Sequence, residues 1–236
     1  MATKKVKGAY LTPFERVAGG IFFFLYLLVM PLIMDTVFQG IERLLGTSIS
    51  SAAERAIYYY VVFALTLIIF YNFIGKTTQR FFGNLNRTLS TWGMGLVAFY
   101  GLNELAYRLT SLLLGNQTNL NDVSISAQIQ DAPRTTLLIV VFLAPFVEEV
   151  LFRGYVFGSL RDHSRVVAYV LSCVLFAFLH VWQFAVGGHG VWYFVLMLQY
   201  LIPGLVLAWC YDRAGNLWAP ILVHITVNGL YAWAVW

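Results

Sequence analysis

Residues 135–158 read TTLLIVVFLAPFVEEVLFRGYVFG, an apolar run interrupted by two adjacent glutamates and an arginine. The run is long enough to cross a bilayer as a helix, which takes roughly 20 apolar residues. It is too long for a membrane strand, and it shows no alternation of apolar and polar positions. We therefore predict a membrane-spanning helix that carries Glu148, Glu149 and Arg153 inside the membrane.

The composition of the whole chain agrees with this prediction. Of its 236 residues, 60% are apolar, 17% are aromatic and only 11% are Asp, Glu, Lys or Arg. A soluble domain carries about a quarter charged residues, so the composition excludes a soluble enzyme and a nucleic-acid-binding protein. Cys173 and Cys210 both lie in apolar runs, which leaves neither a disulfide scaffold nor a cysteine zinc cluster.

Other runs in the chain also have the length and composition of membrane-spanning helices. We predict an all-α, polytopic bundle of about seven spans that makes residues 1–236 a single integral-membrane domain. The polar segment at 115–134 is predicted to be an outer connector. The predicted spans are 17–34, 57–74, 91–114, 135–158, 166–185, 191–211 and 216–235.

Basic residues between the spans predict the orientation, because cytoplasmic loops carry an excess of Lys and Arg. With the N-terminus in the cytoplasm, the outer loops carry only Arg43, Arg55 and Arg134. We therefore expect a cytoplasmic N-terminus. The inner loops then carry Lys4, Lys5, Lys7, Arg16, Lys76, Arg80, Arg87, Arg161, Arg165 and Arg213.

Charged side chains inside a span are the informative residues, because each costs about 2.5–3.5 kcal/mol at a helix centre and is usually paired or functional. Glu149 and Arg153 are four residues apart with the acid first, so they can pair along one helix face. Glu148 is turned by about 100° from Glu149 and can face a neighbouring helix. A purely structural ion-pair cluster is the alternative interpretation of these residues.

Two later spans carry polar residues at a matching depth. His180 lies in the span at 166–185, while His224 and Asn228 share one face of the span at 216–235. At 1.5 Å per residue, Glu148 and His180 lie about 20 Å from the inner ends of their helices, and His224 and Asn228 about 12–20 Å. Each of these polar residues, taken alone, is also explained by a hydrogen bond between helices. Together they predict one polar site, in a catalytic core at about 135–235.

These groups suit the hydrolysis of a peptide bond inside the membrane. A carboxylate and an imidazole can hold a water and remove its proton, which predicts Glu148 as the base and His180 as its partner. His224 and Asn228 can donate hydrogen bonds to the oxyanion of a tetrahedral intermediate, and Arg153 can orient the carboxylates. Glu148, His180 and His224 could instead bind zinc. We expect no cofactor, because with zinc bound Asn228 would lose its role.

Three motifs carry a resemblance to a known family. Glu-Glu-x-x-x-Arg at 148–153, Phe-x-x-x-His at 176–180 and His-x-x-x-Asn at 224–228, in this order, resemble the CAAX-protease and bacteriocin-processing family, which includes the type II CAAX prenyl endopeptidases. The earlier spans match only as generic membrane helices. Many members have eight spans, whereas we predict seven here.

The resemblance implies an intramembrane glutamic endopeptidase. Glu148 and His180 would activate water, and His224 and Asn228 would stabilise the oxyanion. Its implied partners are the lipid bilayer and a peptide or lipidated protein as substrate, in a bacterial or archaeal cell membrane.

Two other functions fit the same residues. A non-catalytic membrane scaffold or a bacteriocin self-immunity protein could bind a partner through the polar cavity. A small transporter is disfavoured, because the two halves of the chain show no repeat symmetry.

Overall fold

Nine helices make up almost all of the part of the chain that the structure describes. The computed structural model describes residues 11–115 and 119–236, and this described part contains no strand. Lys4, Lys5 and Lys7, which contribute to the predicted orientation, lie outside the described residues. The helices are α1 (Pro13–Leu45), α2 (Ser51–Ile69), α3 (Tyr71–Gly83), α4 (Leu85–Leu114), α5 (Leu120–Asp131), α6 (Pro133–Leu160), α7 (Arg165–His189), α8 (Val191–Ala214) and α9 (Trp218–Val235).

Six of these helices are long and apolar enough to cross a membrane, namely α1, α2, α6, α7, α8 and α9. The predicted polytopic, all-helical bundle is therefore confirmed. The predicted span at 57–74 has different limits, because α2 ends at Ile69 and the backbone leaves helical geometry at Phe70 (φ −103°, ψ 23°) before α3 begins. The apolar pattern continues through this break, so it could not mark the end of the helix.

The predicted span at 91–114 lies within α4, which is not among the six helices that qualify by composition. α4 nevertheless runs from one end of the bundle to the other. Asn216, just after α8, donates a hydrogen bond to the Thr88 hydroxyl (2.8 Å). Gln199, near the start of α8, donates to the Thr110 hydroxyl (2.9 Å). These two contacts make α4 and α8 antiparallel neighbours over most of their length.

The polar segment at 115–134 contains a helix, α5, which the sequence did not indicate. The backbone N–H of Leu120 donates to the Tyr193 hydroxyl (2.8 Å), and the Ser126 and Tyr231 hydroxyls share a hydrogen bond of 3.0 Å. These contacts dock α5 on α8 and α9. Ile129 of α5 is also buried, in an apolar cluster with Val141 and Ala232. The apolar periodicity of α5 itself is too weak to predict the helix.

Most of the described basic residues that were assigned to inner loops lie at one end of the bundle. The Asp212 carboxylate near the end of α8 pairs with Arg161 (2.6 Å) and Arg165 (2.5 Å), on either side of the turn between α6 and α7. Arg80 of α3 donates to the Gly215 carbonyl (3.2 Å) beside the same end. Arg55 lies at the opposite end. This separation of charge agrees with the predicted orientation, which remains a prediction.

A glycine allows α4 to approach α8 and α9 closely. A Cβ atom on Gly95 would lie 2.6 Å from the Cys210 Sγ atom and 2.8 Å from the Val223 Cγ2 atom. Gly93 on the same helix has no such neighbour within 4 Å. Small residues commonly permit this kind of contact between membrane helices.

We expect Gly95→Ala to lower the thermal stability of the protein in detergent and Gly93→Ala to raise it or leave it unchanged. Alanine is favoured over glycine in a helix interior by about 1 kcal/mol, and this gain applies to both variants. Only Gly95→Ala forces Cys210 and Val223 to move. Equal shifts of the melting temperature in the two variants would contradict the close packing of α4.

Candidate active site

The predicted site residues lie on three helices that meet inside the bundle. α6 carries Glu148, Glu149 and Arg153, α7 carries His180, and α9 carries His224 and Asn228. The carboxylates, the guanidinium and the His224 ring are buried, and Glu149 and Arg153 have no exposed surface. The helices therefore bring these chemical groups together at the shared depth that the sequence predicts.

The Glu148 carboxylate faces both imidazoles without touching either. Its Oε2 atom lies 4.0 Å from the Nε2 atom of His180 and 3.9 Å from the Nε2 atom of His224. Both separations are too long for a direct hydrogen bond and suit a bridging water. This buried oxygen has no hydrogen-bond partner among the described residues, so it is available to a ligand.

The second nitrogen of each ring fixes the tautomer of the neutral histidine. The Nδ1 atom of His180 lies 2.8 Å from the Phe176 carbonyl oxygen, and the Nδ1 atom of His224 lies 2.8 Å from the Glu149 Oε1 atom. Both partners are acceptors, so each Nδ1 atom carries the hydrogen. Each neutral ring therefore presents the lone pair of its Nε2 atom toward Glu148.

Glu149 and Arg153 form the buried ion pair that their spacing predicts. The Glu149 Oε1 atom accepts hydrogen bonds from Arg153 Nη1 (3.0 Å) and from His224 Nδ1 (2.8 Å). Arg153 also donates to the Gly204 carbonyl of α8 (3.1 Å), and its guanidinium lies 4.3 Å from the centre of the Phe176 ring. This pair connects α6 with α7, α8 and α9 and leaves Glu148 outside the network.

The position of Asn228 depends on an irregularity in α6. Its Nδ2 atom donates to the Val140 carbonyl (2.9 Å). The helix supplies no hydrogen-bond donor to that carbonyl. The Ala144 N–H bonds the Ile139 carbonyl in π-helical register, and Pro145, which would be the donor to Val140 in the same register, has no N–H. One amide hydrogen of Asn228 satisfies the vacated carbonyl, and the other is available to a ligand.

A cavity of about 510 Å³ opens beside these groups and is lined by all four predicted catalytic residues. Its volume lies within the usual range for ligand sites. The remaining walls include Tyr26 of α1, Tyr58 and Tyr59 of α2, and Gln128 of α5. Sequence reasoning missed these wall residues, because an aromatic residue in a membrane span gives no sign of which side faces a cavity.

The residues of the zinc alternative do not form a ready metal site. Within residues 11–115 and 119–236, no three His, Cys, Asp or Glu side chains are placed to hold a metal ion. Ligand atoms of a tetrahedral zinc lie roughly 3.3 Å apart, given bonds of about 2 Å. The Glu148 Oε2 atom lies 4.0 Å from His180 Nε2 and 3.9 Å from His224 Nε2. Zinc binding would require these side chains to move together.

Comparisons with known proteins point to membrane peptidases. A family described as "Type II CAAX prenyl endopeptidase Rce1-like" matches residues 131–230, which include all three motifs. "UPF0177 protein YxdF" of Lactococcus lactis is 30% identical over 156 residues, which cover 62% of this chain and 81% of that protein. "Putative membrane peptidase YdiL" of Bacillus subtilis is 31% identical over 95 residues, which cover 39% of this chain and 34% of that protein. No solved structure matches the chain.

We expect Arg153→Leu to destabilise the protein by about 3–5 kcal/mol, the usual cost of leaving one partner of a buried ion pair without its counter-charge. The double variant Glu149→Gln/Arg153→Leu removes both charges and should recover part of this loss. Denaturant unfolding of the purified protein in detergent measures both effects. The ion-pair assignment is contradicted if the double variant is as unstable as the single variant or less stable.

Proposed function

This chain belongs to the CAAX-protease and bacteriocin-processing family, and on that premise we propose that it is a glutamate-dependent endopeptidase that works inside the membrane. The family is one of membrane proteases, so an integral membrane location and a peptide substrate follow at that level. The observation that carries the proposal is the Glu148 carboxylate oxygen, which is buried in the cavity wall and faces two imidazole nitrogens.

The proposed first step is the activation of water by Glu148 and His180. The Glu148 Oε2 atom and the His180 Nε2 atom are both acceptors, so a water between them donates one hydrogen bond to each. Glu148 takes a proton as the water oxygen attacks the carbonyl carbon of the peptide bond. The same carboxyl group then gives the proton to the leaving nitrogen, which yields a carboxylic acid and an amine.

The proposed oxyanion donors are Asn228 and His224. Asn228 lines the cavity and keeps one amide hydrogen that Val140 does not use. His224 can donate from Nε2 only when that nitrogen is protonated, because Nδ1 already donates to Glu149. The carboxylates of Glu148 and Glu149 and the guanidinium of Arg153 carry a net charge of −1 together, which a proton on His224 balances. Pairing of this kind offsets part of the cost of burying charge.

The proposed substrate is a segment of a membrane-associated peptide or of a lipidated protein. The cavity extends from Glu148 toward the end of the bundle where α2 begins, and Glu54 and Arg55 of α2 line it there. With the predicted orientation, the N-terminus lies in the cytoplasm of a bacterial or archaeal cell and this end of the cavity faces outward. We propose that the scissile bond reaches Glu148 from that side.

We expect Glu148→Gln and His180→Ala to lower the turnover of peptide cleavage by about 10²–10⁴-fold, the range lost with a general acid–base group. The assay uses purified protein in liposomes with a library of labelled peptides. Glu104→Gln changes an exposed glutamate on α4 that pairs with Arg108 and should keep wild-type turnover. Full turnover by Glu148→Gln would contradict the proposed mechanism. A wild-type protein that binds a partner but cleaves no peptide would favour the non-catalytic scaffold.

The proposed mechanism also requires no metal ion. We expect dialysis of the purified protein against a chelator to leave its turnover unchanged, and added zinc not to raise it. Elemental analysis of the same sample gives the zinc content per chain. Loss of turnover on dialysis and its return with stoichiometric zinc would support the zinc alternative and contradict the proposal.

A further inference from the structure

Tyr200 of α8 lies against the proposed catalytic histidine. Its ring stacks on the His180 ring with centroids 4.5 Å apart and an interplanar angle of 22°. Tyr200 is not among the residues that line the cavity, whereas His180 is. Tyr200 therefore acts on a substrate only through His180.

The hydrogen bond of His180 does not by itself fix the direction of its free nitrogen. Nδ1 donates to the Phe176 carbonyl one turn earlier in α7, and the ring can still rock about this contact. A change in tilt moves Nε2, which has to face Glu148 across 4.0 Å. An aromatic ring stacked on the imidazole restricts that tilt, because rings prefer a narrow range of offset stacked geometries.

The Tyr200 ring is itself held at its far end by α5. Its hydroxyl accepts a hydrogen bond from Asn119 Nδ2 (2.8 Å) and lies 3.1 Å from Asn119 Oδ1 and 3.5 Å from Asp122 Oδ1, to which it can donate. Asn119 is the N-cap of α5, and its Oδ1 atom also accepts the Asn121 backbone N–H (3.1 Å). The tyrosine hydroxyl is therefore bonded to the first turn of a docked helix.

The anchor extends further, to α4. The second amide hydrogen of Asn119 is donated to Gln199 Oε1 (2.8 Å), and Gln199 Nε2 donates to the Thr110 hydroxyl (2.9 Å). Both amide hydrogens of Asn119 are thus used, one by Gln199 and one by Tyr200. A polar network in which each member has its partners is rigid, so it can hold a ring in place.

We propose that Tyr200 is a positioning residue for His180, held by Asn119 and stacked so that the Nε2 atom of the histidine faces Glu148. This inference rests on the proposed function, because it assigns Tyr200 a part in the same water activation. It also gives α5 a second role. α5 forms a wall of the cavity through Asn121 and Gln128. Its N-cap residue, Asn119, also holds the Tyr200 ring against the imidazole of His180.

The test compares kcat and KM of three tyrosine variants in the liposome assay. Tyr200→Leu removes the ring and should lower kcat by about 10–100-fold, the range lost with groups that orient a metal-bound histidine, with KM within about twofold. Tyr200→Phe keeps the ring without its anchor and should lose less. Tyr169→Phe is the matched control, because it removes a tyrosine hydroxyl that bonds Asp212 (3.2 Å) at the other end of the bundle, away from His180 and α5.

The order wild type above Tyr200→Phe above Tyr200→Leu in kcat, with Tyr169→Phe equal to wild type, supports the inference. Wild-type kcat in Tyr200→Leu overturns it, and so does an equal loss in Tyr200→Leu and Tyr169→Phe. If Tyr200→Leu does not fold, Tyr200→Phe is compared with the same control. Equal kcat values in these two variants overturn the inference. His180→Ala in the same assay separates the two proposals, because wild-type turnover of that variant refutes the proposed function itself.

Discussion

The buried carboxylate of Glu149 is the group on which the rest of the site depends. Such a charge inside a helical bundle is stable only when partners replace its lost hydration. Its Oε1 atom obtains them from Arg153 on its own helix and from His224 on α9. The contact with His224 holds α6 against α9 and fixes the hydrogen of His224 on Nδ1. The Oε2 atom of the neighbouring Glu148 has no hydrogen-bond partner among the described residues, and Glu148 lines the cavity.

Irregular helix geometry is the second constraint. α6 contains π-helical segments at Leu138–Leu143 and Glu149–Phe157, and Pro145 lies between them. Such breaks are tolerated within a membrane when other groups satisfy the freed backbone atoms. Here Asn228 bonds the Val140 carbonyl, so the break also holds the amide at the cavity. π-Helical turns are often found at functional sites, and in this chain the turn explains why the amide is there.

The sequence predicts the chemical groups well and their surroundings poorly. The i,i+4 spacing of Glu149 and Arg153, the costly glutamates and the matching depths of His180 and His224 follow from helix geometry alone. The helix α5 does not, because its hydroxyl contacts with Tyr193 and Tyr231 and the burial of Ile129 in a cluster with Ala232 depend on residues far along the chain. The break at Phe70 also left no trace in the apolar pattern. The histidine tautomers depend on the Phe176 carbonyl and Glu149, which only the folded bundle places beside them.

The central claim is that Glu148 delivers a water molecule directly to the peptide carbonyl. The most direct test is a single turnover of a cleaved peptide in ¹⁸O-labelled water, with mass analysis of the new carboxyl group. Direct attack by water predicts one ¹⁸O atom in the product of the first turnover. An unlabelled carboxyl group in that first product would contradict the claim, because it would mean that a side-chain oxygen of the enzyme attacked the carbonyl carbon.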